Sequence, residues 1–329
     1  MIKVVLAAQN PEKVTRLINI RLSLEKKYNV QTLEPLIKIR KLGKVPSAIF
    51  RYCTYAFQEY FVGCNVMHLF SSPDFIHILS LVKDVQICYD YRSNYSEKLK
   101  SQHPKFAVHA RSIEKKLFNK AKIILTVNDI LAERITTIAN SPIYIVPNFP
   151  KKSFKPSRKI DVVKKELRID TPIALFVGNI SSTYDFDLIF RSAIELKGVT
   201  FIIIGSGKPL RILKENSPDN VRFLGLKSNN IIADYINASD VCLAPIRSYS
   251  SNIVSNDQDV WKVGEYAALQ KPIVATNLAP SNQYLLARSK SDFVELIKKA
   301  LRNDLDLPIP KFWEDYSEPA LFEAYNKII

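Results

Sequence analysis

Glycine is scarce in this chain, at eight of 329 residues. Neither G-x-G-x-x-G nor G-x-x-x-x-G-K-[ST] occurs, which excludes a dinucleotide fingerprint and a P-loop and demotes dehydrogenase and NTPase readings. Cysteine is scarcer still. Cys53, Cys64, Cys88 and Cys242 lie far apart in apolar sequence with no C-x-x-C pair, which excludes a disulfide framework and a zinc site and predicts reduced core thiols in a cytoplasmic protein. His68, His77, His103 and His109 have no metal-ligand spacing. No run reaches the ~20 apolar residues of a spanning helix, and the start lacks the apolar core of a cleavable signal. What remains is an ordinary globular balance of 47% hydrophobic and 24% charged residues, with length enough for about two domains.

Acidic residues are the other shortage, and it is unevenly placed. Residues 1–150 hold 22 Lys+Arg against 11 Asp+Glu, a net +11; the remainder hold 25 against 21, a net +4, which sums to the overall +15. An anionic partner for the first half follows: nucleic acid, an anionic membrane surface or a phosphorylated substrate.

Short apolar runs alternate with helical periodicity from the first residue. Ile2–Ala8, Val30–Leu33, Asn65–Leu69, Val85–Tyr89, Lys122–Val127 and Ile143–Val146 read as buried strands with helical stretches between them. The tract 147–170, with three Pro and eight Lys or Arg, reads as a linker with a short helix. The alternation restarts with strands at Ile173–Val177, Val199–Ile204, Val221–Leu224, Val241–Ala244 and Pro272–Ala275, and closes with helices at Ser291–Arg302 and Glu318–Ile328. The fold class is α/β: two doubly wound parallel-sheet domains, 1–150 and 151–311, with a C-terminal helix 312–329 that is a candidate to pack back on the first. Ligands of such sheets sit outside the strand carboxyl ends, so a cleft between facing domains is the expected site.

Gly178 and Gly205 each end a predicted strand, where glycine lets backbone approach a ligand and leaves amides for a phosphate. In D-Q-D-V-W-K-V-G-E-Y-A-A-L-Q-K-P-I-V-A-T, residues 257–276, Lys262 and Glu265 fall one turn apart on a helix, before a tight turn and a buried strand. This segment resembles the C-terminal domain of GT-B glycosyltransferases, especially glycosyltransferase family 4. Ile173–Asn179, Phe201–Gly207, Val221–Leu226 and Tyr235–Pro245 are similar to successive strand ends of that family, and Cys88–Arg92 and Ala121–Asn148 to its approach to the linker.

The resemblance implies two Rossmann-like domains facing across a cleft, with the acceptor bound N-terminally and a nucleotide-sugar donor C-terminally. It also implies retention of anomeric configuration and no obligatory metal cofactor. Glu265 matches the glutamate that accepts hydrogen bonds from the donor ribose, contacts worth about 1.5–3 kcal/mol when charge-assisted. Asp257 falls at the family's first acidic position, shortened by a methylene, and Asp257 or Asp259 is also a candidate helix cap. The family's diphosphate-binding Arg and Lys are replaced by Asn179 and Tyr184, neither charged. Lys262, Arg247 or Lys208 would have to compensate the diphosphate, Lys262 being preferred. Three D-x-D strings occur, at Asp185/Asp187, Asp257/Asp259 and Asp304/Asp306; with 32 acidic residues such strings arise readily by chance, and they assign no metal site.

In the first half, Asp90 and Arg92 follow a predicted strand and His68 ends another, which makes them candidate acceptor-side residues. Asp90 would be the base of an inverting reaction or would orient the acceptor of a retaining one. The stretch Leu36–Phe61 mixes cations with aromatics, and as a helix from Pro46 it would bury Ile49, Cys53, Ala56, Phe57 and Tyr60. Its basic loop suits an anionic membrane face and a lipid-phosphate-linked or other anionic glycan acceptor. Rival readings are a non-catalytic nucleotide-sugar-binding scaffold, a sugar-nucleotide epimerase, and a nucleic-acid-binding protein. No recognisable nucleic-acid module supports the last, and nucleic acid is not an expected partner.

Overall fold

The computed structural model describes residues 1–8, 14–34, 44–71 (backbone only for 44–51), 74–92, 96, 104–247, 255–302 and 305–329. They divide into two units, Met1–Pro147 with Asp315–Ile329, and Asn148–Glu314.

The first unit is built on six parallel strands, β1 (Lys3–Ala7), β2 (Asn29–Leu33), β3 (Val66–Phe70), β4 (Gln86–Tyr91), β5 (Ile123–Thr126) and β6 (Ile143–Ile145), in the order β2-β1-β3-β4-β5-β6. α1 (Thr15–Leu24), α2 (Lys44–Phe61), a 3-10 helix (Asp74–Leu81), α3 (Pro104–Lys120) and α4 (Asp129–Thr136) connect them, and α11 (Glu318–Tyr325) returns from the C-terminus. Residues of β1, β3, β4 and β5 are almost wholly buried because helices cover both faces, which is why these strands read as continuous apolar runs.

The helix expected from Pro46 is present as α2, but its inward face is a different one. Tyr55, Ala56 and Glu59 are buried, whereas Cys53, Phe57 and Tyr60 are exposed. The rotation follows from Glu59, whose carboxylate is satisfied inside by His77 Nδ1 at 2.7 Å and Ser80 Oγ at 2.9 Å. A paired acid can take a core position that an apolar count assigns to Phe57.

The second unit has strands β7 (Ile173–Val177), β8 (Thr200–Ile204), β9 (Val221–Gly225), β10 (Val241–Pro245), β11 (Ile273–Thr276) and β12 (Leu285–Ala287), ordered β9-β8-β7-β10-β11-β12 and all parallel. Its helices are α5 (Ile160–Leu167), α6 (Phe186–Glu195), α7 (Leu210–Glu215), α8 (Asn229–Ala238), α9 (Trp261–Ala268) and α10 (Lys290–Leu301). The short edge strand β12 was not foreseen; three residues carry too little periodicity to read. Phe176, Phe201, Ile189 and Phe293 pack on one face of the sheet, and Leu175, Val177, Ile236, Val263 and Tyr266 on the other. The order reverses between β7 and β10, so the switch point, and with it the expected ligand position, lies at their carboxyl ends.

Candidate functional site

The two strands flanking the switch point separate before they end. β10 pairs with β7 only at Ala174 and Leu175, and the Val177 amide donates instead to the Tyr266 hydroxyl of α9 at 2.8 Å. This bond ties α9 to the end of β7. Gly264 brings the same helix close to the linker, since a Cβ there would lie 3.3 Å from Pro150 Cδ. Asn148 closes the contact, its amide donating to the Gln258 carbonyl at 2.6 Å and its side chain to the Asp259 carbonyl at 3.2 Å.

Gly178 follows β7 at φ +152°, a conformation that disfavours any side chain. By strand alternation a side chain here would point to the Phe176 face. The space is taken by Lys262, whose Nζ would lie 2.5 Å from a Cβ at Gly178. Lys262 therefore starts on the α9 face of the sheet, passes over the strand end through the glycine notch, and meets two rings of the opposite face. Its Nζ lies 3.9 Å from the Phe176 ring centre and 3.5 Å from that of Tyr184. Tyr184 is held there because residues 183–185 lie across the end of β10. Tyr184 bridges Ile246, the Asp185 amide donates to the Pro245 carbonyl at 2.8 Å, and the Arg247 amide donates to the Thr183 carbonyl at 2.8 Å.

Lys262 is only 7% exposed, and its Nζ has no hydrogen-bond partner among the described residues. Burial pushes the amine well below its ordinary value, against a weaker pull upward from Glu265. The two ring faces favour the ammonium form, the form that suits an arriving anion. Glu265, one turn on, is pushed up to about 7 by burial, with Lys262 opposing. An amine and a carboxyl, both short of partners, thus stand at the carboxyl ends of β7 and β10.

The other donor-side residues distribute unevenly. Asn179 is exposed beside Gly178. At Gly205 a Cβ would lie 1.9 Å from the Gly178 carbonyl oxygen, so packing of the two strand ends by itself requires a glycine there. Arg247 is exposed and faces Asp185 at 3.5 Å and Asp187 at 3.4 Å across the start of α6. Asp257 is buried, accepting from Ser281 Oγ at 2.7 Å and facing Lys311 Nζ at 3.2 Å. Neither Asp257 nor Asp259 caps α9, whose N-cap is Val260; Asp259 accepts from the Asn256 amide at 2.7 Å. Asp185 caps α6 through the Leu188 amide at 3.2 Å. Asp304 lies outside the described residues, and among those described no cluster of acids, His or Cys could hold a metal.

The first unit corrects the acceptor-side expectations more sharply. Asp90 lies inside β4, not after it, and His68 lies midway along β3, not at its end; both are fully buried. Asp90 Oδ2 meets Arg16 Nε of α1 at 2.8 Å and His68 Nε2 at 3.5 Å, and His68 Nδ1 meets the Tyr325 hydroxyl of α11 at 2.8 Å. Burial, the largest single influence, would raise the Asp90 carboxyl; Arg16 and His68 together outweigh it and hold the group well below the usual carboxylate range. A carboxylate so held is a poor proton acceptor, and no acceptor hydroxyl can reach it. The cluster fastens α1 and α11 to the sheet. Arg92, half-buried, donates from its amide to Ser71 Oγ at 3.0 Å and from Nη2 to the Ser71 carbonyl at 2.9 Å. Arg16, Tyr184, Phe176, Tyr266 and Tyr325 are the participants that sequence reasoning missed. Only Tyr184 carried a signal, as a departure from the family pattern.

Comparison with known proteins agrees with this geometry. Residues 171–303 match the family model described as Glycosyl transferases group 1. No curated protein matches the sequence. Among solved structures, sucrose-phosphate synthase from Thermosynechococcus elongatus superposes with a TM-score of 0.71 at 13% identity, covering 99% of this chain and 95% of that one. HepE of Anabaena, in complex with UDP and glucose, gives 0.64 at 12% identity, covering 100% and 96%. The UDP-forming α,α-trehalose-phosphate synthase from Burkholderia vietnamiensis gives 0.63 at 11%, covering 100% and 96%. The chain has the GT-B fold of these proteins. Its second unit carries a group 1 glycosyltransferase domain, and on that domain and fold together the protein is a glycosyltransferase.

Proposed function

We propose that the second unit binds a nucleoside-diphosphate sugar and that the sugar is transferred to a hydroxyl of a glycan or lipid-linked glycan. The observation that carries this is the Lys262 amine, without a hydrogen-bond partner among the described residues, held over Gly178 at the switch point, one helical turn from Glu265. Lys262 supplies the cation that Asn179 and Tyr184 do not, approaching from α9 in place of the β7–α6 loop. Glu265 accepts from the ribose hydroxyls in its ionised form, and Lys262 donates to a phosphate oxygen and stabilises the charge that collects there as the glycosidic bond breaks. Retention without an obligatory metal is part of the proposal, as the resemblance implies.

The acceptor side rests on the net +11 of residues 1–150, which favours an anionic or lipid-phosphate-linked acceptor. Among the described residues no helix is long and apolar enough to cross a membrane. Peripheral association at the cytoplasmic membrane face completes this reading.

Thermal shift with UDP, GDP, ADP and dTDP, on wild type and Glu265→Ala, tests the donor assignment. Selective stabilisation that disappears in the variant is expected; an equal shift in both would remove Glu265 from the site. A second reading draws on the pairing of Asp257 with Lys311 and Ser281, which leaves the family's first acid engaged internally. It is a nucleotide-sugar-binding protein without turnover, and it predicts donor binding with neither transfer nor hydrolysis.

A further inference from the structure

An apolar trough in the first unit is lined by none of the residues given a role in the proposed function. It opens between the 3-10 helix Asp74–Leu81 and α3, encloses about 500 Å³, and is floored by Phe75, Ala110 and Ile113. Phe106 and Ile78 stand at its lip, 71% and 47% exposed, with Lys105 and His109 beside them. Large exposed hydrophobics also stand on neighbouring α2, at Phe57 and Phe61, though round the helix from Tyr52, whose side meets the trough. Tyr52 of α2 packs edge-on against Phe75 of the trough, with ring centres 5.2 Å apart, so the two exposed groups belong to adjoining helices. Apolar surface of this extent on a soluble unit marks an interaction face.

The charge around it selects the occupant. α3 carries Lys105, Arg111, Lys115, Lys116 and Lys120, all exposed, while its one acid, Glu114, is buried against Ser96. The solvent face of α3 is therefore purely cationic beside an apolar lip. That pairing suits acyl chains below a layer of phosphates, where each cation near the surface adds to binding. Residues 1–150 as a whole share the sign of that charge.

We propose that α3 and the trough beside it dock on an anionic bilayer. Phe106 and Ile78 enter among the acyl chains, and the lysines of α3 lie at the level of the lipid phosphates. The inference deepens the lipid-side part of the function proposed above and places the contact on α3; the basic loop that the sequence suggested lies outside the described residues.

The test is co-sedimentation with phosphatidylcholine vesicles, with and without phosphatidylglycerol, at low and high salt. Wild type is expected to pellet only with the anionic vesicles and to be released by salt. Phe106→Ser with Ile78→Ser, and separately Lys115→Glu with Lys116→Glu, should each weaken binding about tenfold or more. Both pairs are surface changes, so thermal stability should hold. Binding of a nucleoside diphosphate, followed in parallel, should be the same in all forms, which separates failure of the docking from failure of the donor reading. The proposal is overturned if wild type ignores anionic vesicles, if it binds neutral ones equally, or if the Phe106/Ile78 pair binds unchanged. Concentration-dependent self-association without lipid that the same pair abolishes would also overturn it, in favour of a protein interface.

Discussion

Replacing Lys262 by methionine tests whether the amine is held in readiness for an anion or is simply part of the core. Methionine keeps the length and the unbranched stem, so it should pass through the Gly178 notch and touch the same rings. What it removes is a buried nitrogen with no hydrogen-bond partner among the described residues. Burying such a group costs about 1–3 kcal/mol on mutational scales, and rings at 3.5 and 3.9 Å return about 0.5–2 kcal/mol. The net expectation is that Lys262→Met stabilises the ligand-free protein by about 1 kcal/mol, raising the midpoint by about 2–4 °C for a domain of this size. Nucleoside-diphosphate affinity should fall by the ~1.5–3 kcal/mol of one charged hydrogen bond, roughly ten- to hundredfold.

The pH dependence carries a second signature. The amine binds its proton less tightly folded than unfolded, so the unfolded chain holds more protons and wild-type stability rises with pH up to the ordinary value of 10.5. Lys262→Met should lack that part of the rise. Urea unfolding across pH and isothermal titration with UDP measure both effects. A variant at least 1 kcal/mol less stable than wild type, binding the nucleotide normally, would refute the reasoning and make Lys262 a structural cation–π contact.

Three further outcomes follow from the same geometry. Glu265, at about 7 against an ordinary 4.5, contributes stability that is full below the ordinary value and lost as pH rises through the folded one. Glu265→Gln should remove that decline, worth up to about 3 kcal/mol above neutrality, as read from urea midpoints on either side of pH 7. Gly205→Ala sets a Cβ 1.9 Å from the Gly178 carbonyl oxygen. Backbone must move, so a loss of at least 2–3 kcal/mol, on the order of overpacking and strain penalties, is expected in calorimetry. Asp90→Asn leaves Arg16 buried without its ion pair and should cost about 3–5 kcal/mol in denaturant unfolding; unchanged stability would restore Asp90 as a functional candidate.

Much of the architecture was legible because fully buried parallel strands write themselves as apolar runs. β1, β7, β8 and β10 stand within a residue or two of their expected bounds, and the Pro-rich tract does hold a short helix, α5. Asp90 was misplaced by a small error of the same kind. Ending β4 two residues early turns a buried side chain into a loop residue, and nothing in the local string shows that Arg16, from α1, waits to pair with Asp90. α2 was rotated for a similar reason, since the partners that let Glu59 go inside come from residues 77 and 80.

The sequence by itself determined the class of fold, the division into two sets of strands, and the candidacy of Lys262 and Glu265, because these depend on periodicity and on spacing within one helix. It also showed that the usual cationic pair was missing at Asn179 and Tyr184. Only the tertiary structure decided that a cation stands beside that strand end. The placement of Lys262 needs a notch at Gly178, a ring on β7, a loop laid across β10 and a lysine on α9, and four separate segments can be brought to one point only by folding.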